Sequence, residues 1–273
     1  MPENPLPRPV PGRFLDRKVV LSGGGRGIGE ATARRFAAEG AEVLLVARSI
    51  AEIEAVAASI VESGGQAWSH AGDVSVPGQV DAVVAAAQAR WGSIDVLVNC
   101  AGIDHDCAFL DFPDAEWERV IGVNLTGAFT MAQRVARLMA ESGGGSVVHV
   151  SSIDAYGADG NQVAYNASKA GMLGLSRTMA MELAAHGIRS NVVAPGYTAT
   201  PLTRQYVGEA MFAHMMGGFD RIPQRRMATP EEIAAAIVFL ASDDAAAITG
   251  SELVVDGGTT ANLYIVETLR TSE

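Results

Sequence analysis

Residues 18–36 read KVVLSGGGRGIGEATARRF. An aliphatic run leads without a break into three glycines, and an amphipathic, Ala- and Arg-rich stretch follows. The glycines at 23, 27 and 29 make G-x-x-x-G-x-G between a strand and a helix. This is not the G-x-G-x-x-G form of the dinucleotide fingerprint, but the physics is shared. Glycine lets a backbone turn tightly and approach a pyrophosphate closely. The helix that follows offers unpaired N–H groups and the positive end of its dipole to an anion. The turn stands between the first strand and the first helix, where such a function needs it. It is read as a nucleotide-binding turn.

Outward from that turn, apolar runs of strand length recur: 42–47, 66–71, 94–102, 146–152, 189–196 and 251–258, after the first at 18–23. Ala-rich amphipathic stretches separate them at 27–39, 50–63, 76–91, about 115–141, about 162–186 and 230–241. Strand-helix alternation predicts right-handed crossovers and an open, parallel α/β sheet of about seven strands with helices on both faces. The expected organisation is an extended, mobile, proline-rich arm at 1–14 and a single domain at 15–273. Within it, residues 197–228 hold no strand but carry Tyr206, Met211, Phe212, Met215, Met216 and Phe219. A long apolar insertion late in such a fold reads as a substrate lid.

Composition narrows the function. The 273 residues are 48% hydrophobic and 19% charged, enough for a large core. A net charge of −11 argues against nucleic acid and anionic membranes as partners. No apolar run reaches the roughly 18 residues of a membrane span, and the start lacks the apolar core of a signal peptide. Cys100 and Cys107 are too few for a disulfide framework, and a cytoplasmic setting is expected. The five scattered histidines make no metal site. At the end of the second strand the chain reads Val46-Ala47-Arg48-Ser49. It lacks the acid that holds ribose hydroxyls in NAD-binding chains. Arg48 there and Arg26 in the glycine turn suit a 2′-phosphate. The expectation is NADP(H), with NAD(H) as the alternative. Residues 165–169, YNASK, place a phenol and an ammonium on one helical face. A fixed positive charge near a phenol lowers its pKa, which would make Tyr165 a proton donor and acceptor useful near neutral pH.

The glycine turn, NCAG, VNLTG, VSS, YNASK, APG and VDGG occur in that order between about residues 15 and 260. Together they resemble the short-chain dehydrogenase/reductase family. The resemblance implies a Rossmann-type doubly wound sheet and hydride transfer between a nicotinamide cofactor and a ketone or secondary alcohol. It makes Tyr165 the catalytic acid/base and has Lys169 lower its pKa and hold the nicotinamide ribose. Ser152 orients the substrate carbonyl, and Asn124 supports a water linking the lysine to solvent. Ser22, Gly23, Arg26, Gly27, Ile28 and Gly29 form the cofactor turn, with Ser22 where the family more often has Thr. Asp73 and Val74 match the pair at the adenine. Asn99, Ala101 and Gly102 flank the cofactor, with Cys100 at a position usually held by Asn. Pro195, Gly196 and Thr198 face the carboxamide, and Thr200 the pyrophosphate. A homotetramer or homodimer is implied as well.

Other residues read as scaffold. Trp68, Trp91 and Trp117 suit packing, His149 the core, and Asp256 a turn. Asp104, His105, Asp106 and Cys107 are taken as a polar loop, and Asp154 and Tyr156 as possible pocket residues. Methionines and phenylalanines in the lid favour an apolar ketone over a sugar. Arg221, Arg225 and Arg226 keep open a 3-oxoacyl thioester, whose carrier would need a basic docking surface. A nucleotide-sensing protein without chemistry is the alternative from another class, opposed by the presence of Ser152, Tyr165 and Lys169 together.

Overall fold

The structure, a computed structural model, describes residues 6–158 and 160–261. Among these residues seven strands form one sheet: β1 (Lys18–Ser22), β2 (Glu42–Ala47), β3 (Gln66–Ala71), β4 (Val96–Asn99), β5 (Gly145–Val150), β6 (Ile188–Pro195) and β7 (Glu252–Val255). The spatial order is β3-β2-β1-β4-β5-β6-β7, with every neighbouring pair parallel. The chain steps outward from β1 to β3 and then returns to lay β4 on the other side of β1. That reversal opens a crevice beyond the carboxyl ends of β1 and β4, where open α/β sheets bind ligands.

The helices are α1 (Gly27–Ala38), α2 (Ile50–Glu62), α3 (Pro77–Trp91), α4 (Asp114–Ile121), α5 (Gly127–Glu141), α6 (Val163–Leu183), α7 (Pro201–Met216) and α8 (Pro230–Ala241). The two-residue period of the strands decides which helices meet which face. Val19, Leu21, Val43, Leu45 and Val98 pack against Phe36 of α1, Ile53 of α2 and Ile233 and Ile237 of α8. Val20, Leu44, Leu97 and Val147 turn the other way, onto Val83 of α3, Met131 of α5 and Met179 of α6. Burial on both faces is why these strands read as continuous aliphatic runs. Each such Leu or Val contributes about 1.5–3 kcal/mol relative to exposure. Trp68 and Trp91 pack edge to face, with ring centroids 5.3 Å apart.

Three expectations change. The helical stretch at about 115–141 is interrupted: Gly122–Thr126 form a π turn between α4 and α5. Such turns gather at functional sites, and this one carries Asn124. The described part of the arm, from residue 6, is anchored rather than mobile. Phe14 is buried and meets Phe36 edge to face, with centroids 4.8 Å apart. Arg13 clasps the buried Glu39 at 2.6 Å, the Val10 N–H donates to the same carboxylate at 3.1 Å, and Arg35 joins it. Arg35 also donates to the Pro7 carbonyl at 2.7 Å. Finally, the lid's apolar side chains form a small core of their own. Phe212, Met215, Ile222 and Met227 are buried together, with Tyr197, Val207 and Phe219 against them. The insertion is closed at its base, where Ala228 N donates to the Tyr197 carbonyl and Ala199 N to the Ala228 carbonyl, each at 2.9 Å.

Glu39 is fully buried and ion-paired, so removing it takes from two largely buried guanidinium groups the carboxylate they share. Glu39→Ala is expected to cost about 3–5 kcal/mol and to expose the arm to limited proteolysis. Urea unfolding would measure the first effect and protease mapping the second. Unchanged stability and an intact arm would contradict this account.

Candidate active site

A cavity of about 940 Å³ opens at the carboxyl ends of the strands. Its floor begins at the glycine turn, where Gly23, Arg26, Gly27, Ile28 and Gly29 all line it. Gly23 has φ +74°, and a β-carbon there would lie 2.7 Å from the Ala101 nitrogen. A β-carbon on Gly29 would fall 2.0 Å from the Gly23 carbonyl oxygen. Side chains at these places would break the turn, so the bare backbone is what the cavity presents to a ligand. This cradle, at the start of α1, fits the diphosphate of a dinucleotide. Arg48, Asp73 and Val74 line the β2 and β3 end, Ala101 and Gly102 the middle, and Pro195, Gly196, Thr198 and Thr200 the far side.

Three predicted site residues stand off the wall. Ser22 is buried, and its hydroxyl accepts from Cys100 N at 3.2 Å and Ala101 N at 3.3 Å. It stitches β4 to β1. Asn99 is buried too, donating to the Ala128 carbonyl at 3.0 Å and lying 3.3 Å from His149 Nδ1. Asn124 works from behind the site. Its amide exchanges two hydrogen bonds with the Ile103 backbone, each at 2.9 Å, and donates to Ser168 Oγ at 3.0 Å. The π turn aims Asn124 so that it ties the loop after β4 to α6.

Ser152, Tyr165 and Lys169 do converge on the cavity. Two bonds hold α6 to the end of β5: Lys169 Nζ donates to the Val150 carbonyl at 2.8 Å, and Ser151 Oγ to the Lys169 carbonyl at 2.9 Å. Lys169 Nζ stands 5.3 Å from the centre of the Tyr165 ring. Both serines line the cavity, but the Ser151 hydroxyl is spent on the tie to α6. Ser152 Oγ accepts from Asp154 N and donates to Asp154 Oδ2, both at 3.1 Å.

Electrostatics correct one expectation. Burial pushes the Tyr165 phenol up, and the charges of Asp154 and Asp104 push it further; a hydrogen bond with Ser152 works in the opposite direction. Burial also lowers Lys169 to about 8. Desolvation disfavours both charged forms. It outweighs the lowering of the phenol that the Tyr-Lys spacing implied.

The substrate side was only partly foreseen. Asp154 lines the cavity, whereas Tyr156 points away and donates to Glu252 at 2.9 Å. Asp104 and Asp106, read as a polar loop, line the cavity as well, with Gln162 and Tyr206. Glu52, near the glycine turn, is a further carboxylate that the strand-end reading passed over. None of Met211, Phe212, Met215, Met216 and Phe219 reaches the wall, but Tyr197, Leu202, Tyr206 and Val207 of the same insertion do, so the lid meets the cavity through its first turns. Arg225 pairs with Asp220, and Arg226 with Glu232 at 2.6 Å.

A family model described as enoyl-(acyl carrier protein) reductase matches residues 23–260. The short-chain reductase protein NovJ of Streptomyces niveus is 41% identical over 88% of this chain and 92% of its own. L-rhamnose 1-dehydrogenase (NAD(P)(+)) of Azotobacter vinelandii is 39% identical over 92% and 99%. The crystal structure of a short-chain type dehydrogenase/reductase from Mycobacterium marinum superposes with a TM-score of 0.85 at 35% identity, covering 91% of this chain and 97% of that one.

Because the charge of Asp154 raises the Tyr165 pKa, Asp154→Asn should lower it. With Tyr165 as the expected base in the oxidative direction, the alkaline rise in kcat/KM should move to lower pH. With its phenol as the expected acid in the reductive direction, the alkaline fall should move the same way. A pH profile that stays in place, or moves up, would contradict this assignment.

Proposed function

The chain belongs to the short-chain dehydrogenase/reductase family and is an oxidoreductase of CH–OH groups; within that family we propose an NADP(H)-dependent enzyme interconverting a small-molecule ketone and its secondary alcohol. One observation carries the reading: Ser152, Tyr165 and Lys169 meet in a single cavity that starts at the glycine turn. When bound, the nicotinamide supplies or accepts the hydride. Negative charge develops on the substrate oxygen during reduction, and Tyr165 gives it a proton. Ser152 donates to the same oxygen once its hydroxyl turns from Asp154. Lys169, fixed by the Val150 carbonyl, places its ammonium beside the phenol and supports the ribose. Ser22, Asn99 and Asn124 act by positioning the loops that carry these groups.

Arg48 and Arg26, both on the cavity wall, support NADP(H) over NAD(H) through bidentate pairing with a 2′-phosphate. Glu52 shares that end and is the group that would favour NAD(H). Exposed Phe129 on α5 and Met181 on α6 support a homodimer or homotetramer. Among the described residues no helix is long and apolar enough to cross a membrane. This, with two free cysteines, supports a cytoplasmic setting.

Purified protein with NADPH and a ketone panel should oxidise the cofactor, and Tyr165→Phe should lose about 10²–10⁴-fold in kcat. Arg48→Ala should reduce the NADPH-over-NADH ratio of kcat/KM by about 10- to 100-fold. Activity retained in the tyrosine variant would refute the mechanism. Wild-type preference for NADH would refute the cofactor assignment alone.

A further inference from the structure

The loop after β4 meets the amino end of α6 three residues ahead of Tyr165. Asp104, only 8% exposed, accepts from His105 N at 2.7 Å and from the Gln162 side-chain amide. Gln162 is the N-cap of α6, and its side chain goes to Asp104 instead of to the helix's own N–H groups. Beside it, Cys107 N donates to the Asn161 carbonyl at 2.9 Å. Asn161 has φ +41°, in the left-handed region that Asn tolerates better than most side chains. These bonds join residues 104–107 to residues 161–162. The chain leading into that junction from β5 is exposed at 156–158, 160 and 161, so it gives α6 little support of its own.

A helix holds its first turn weakly, because its leading N–H groups have no partner within the helix. In α6 the Gln162 carbonyl accepts from Asn166 N at 2.9 Å, and Tyr165 stands inside the turn that this bond closes. Behind Tyr165 the helix is fixed by Lys169 on Val150, Ser151 on Lys169 and Asn124 on Ser168. Ahead of it stands the Asp104–Gln162 pair. Residues 162 and 165 are three apart and share a helical face, so a shift of Gln162 carries the phenol with it. Asp104 also reaches the phenol by charge. It acts there with Asp154 from the turn after β5 and the Cys100 thiol at the end of β4, while Lys169 lies beside the ring and feels the same groups. Asp104 itself faces Asp106 and His105 on its own loop and Tyr206 on the lid helix.

Resting on the reading that Tyr165 is the acid/base, we infer that Asp104 is a positioning residue: through Gln162 it holds the first turn of α6, and with it the Tyr165 hydroxyl, in place against the cavity. The pair does two separable things. Its hydrogen bond fixes place, and its charge acts on the proton. Asp104→Asn removes the charge and keeps a bond, because Gln162 can turn its amide over and accept from the new N–H group. Gln162→Ala removes the bond and keeps the charge. Gln162→Glu sets two carboxylates face to face, and Asp104→Asn in the same chain makes them donor and acceptor again.

With NADPH and a ketone, Gln162→Ala and Asp104→Ala should each lower kcat by about 10- to 100-fold, with NADPH affinity, read by its fluorescence, unchanged. The two alanines together should be no slower than the slower one alone. Asp104→Asn should keep more of kcat than Asp104→Ala. It should also move the alkaline limb of the pH profile to lower pH, by less than Asp154→Asn, whose charge weighs more on the phenol. Gln162→Ala should leave that limb in place. Gln162→Glu should be slow, and adding Asp104→Asn to it should restore the rate. Hydrogen exchange at the Asn166 amide should quicken in Gln162→Ala and slow again in the charge-swapped double variant. Unchanged kcat and exchange in Gln162→Ala overturn the inference, as does a double variant no faster than Gln162→Glu alone. Where an alanine variant loses NADPH binding as well, the double variant decides. Should Tyr165→Phe stay fully active, the assigned reaction falls and exchange at Asn166 decides the clasp by itself: quickened exchange upholds it, and unchanged exchange overturns it.

Discussion

Where β1 and β4 run out, their backbones approach more closely than any side chain would permit. A β-carbon on Gly23 would sit 2.7 Å from the Ala101 nitrogen, and the Ser22 hydroxyl bridges the gap by accepting from the Cys100 and Ala101 N–H groups. Two parallel strands from opposite halves of the sheet are thus sewn together at their carboxyl ends. The turn into α1 cannot open without breaking that seam, and the loop after β4 cannot leave it. That loop then hands its order on, because Ile103 is gripped by Asn124, and Asn124 in turn reaches Ser168 on the catalytic helix.

The same economy of backbone contacts fixes the chemistry. Tyr165 and Lys169 could share a face of α6 and still point anywhere. Direction comes from β5, whose Val150 carbonyl receives the Lys169 ammonium and whose following residue, Ser151, bonds back to the helix. Enclosing these groups has an electrostatic consequence. Burial drives the phenol and the ammonium toward their neutral forms, and the nearby carboxylates oppose the phenolate further. The site is therefore a low-dielectric enclosure in which a single change of charge, at Asp154 for example, reaches the Tyr165 phenol directly.

Much of this was legible in the chain. Alternating aliphatic runs and Ala-rich stretches predicted the doubly wound sheet, because strands buried on both faces must be apolar throughout. The ordered motifs marked the turn and the Ser152, Tyr165 and Lys169 set, and those three do meet. What failed to read was direction. The lid's methionines and phenylalanines suggested that they would face the pocket, yet Phe212 and Met215 satisfy their burial against Ile222 and Met227, and Leu202, Tyr206 and Val207 line the cavity instead. Composition records that a segment is apolar, and nothing in it says which way the segment faces. Asp104 and Asp106 looked like an ordinary polar loop because the wall they join is completed by Gln162 and Tyr206, distant in sequence and close in space.

The sequence by itself determined the fold class and the place of the glycine turn, because both are written in local pattern, and its family resemblance singled out Ser152, Tyr165 and Lys169. Only the tertiary structure decided that Ser22, Asn99 and Asn124 stand behind the wall, that Glu39 holds the N-terminal arm, and that Asp104, Asp106 and Asp154 share one cavity. Those outcomes depend on which distant groups share a low-dielectric space. Burial and charge are properties of the assembled neighbourhood, and no single stretch of chain contains them.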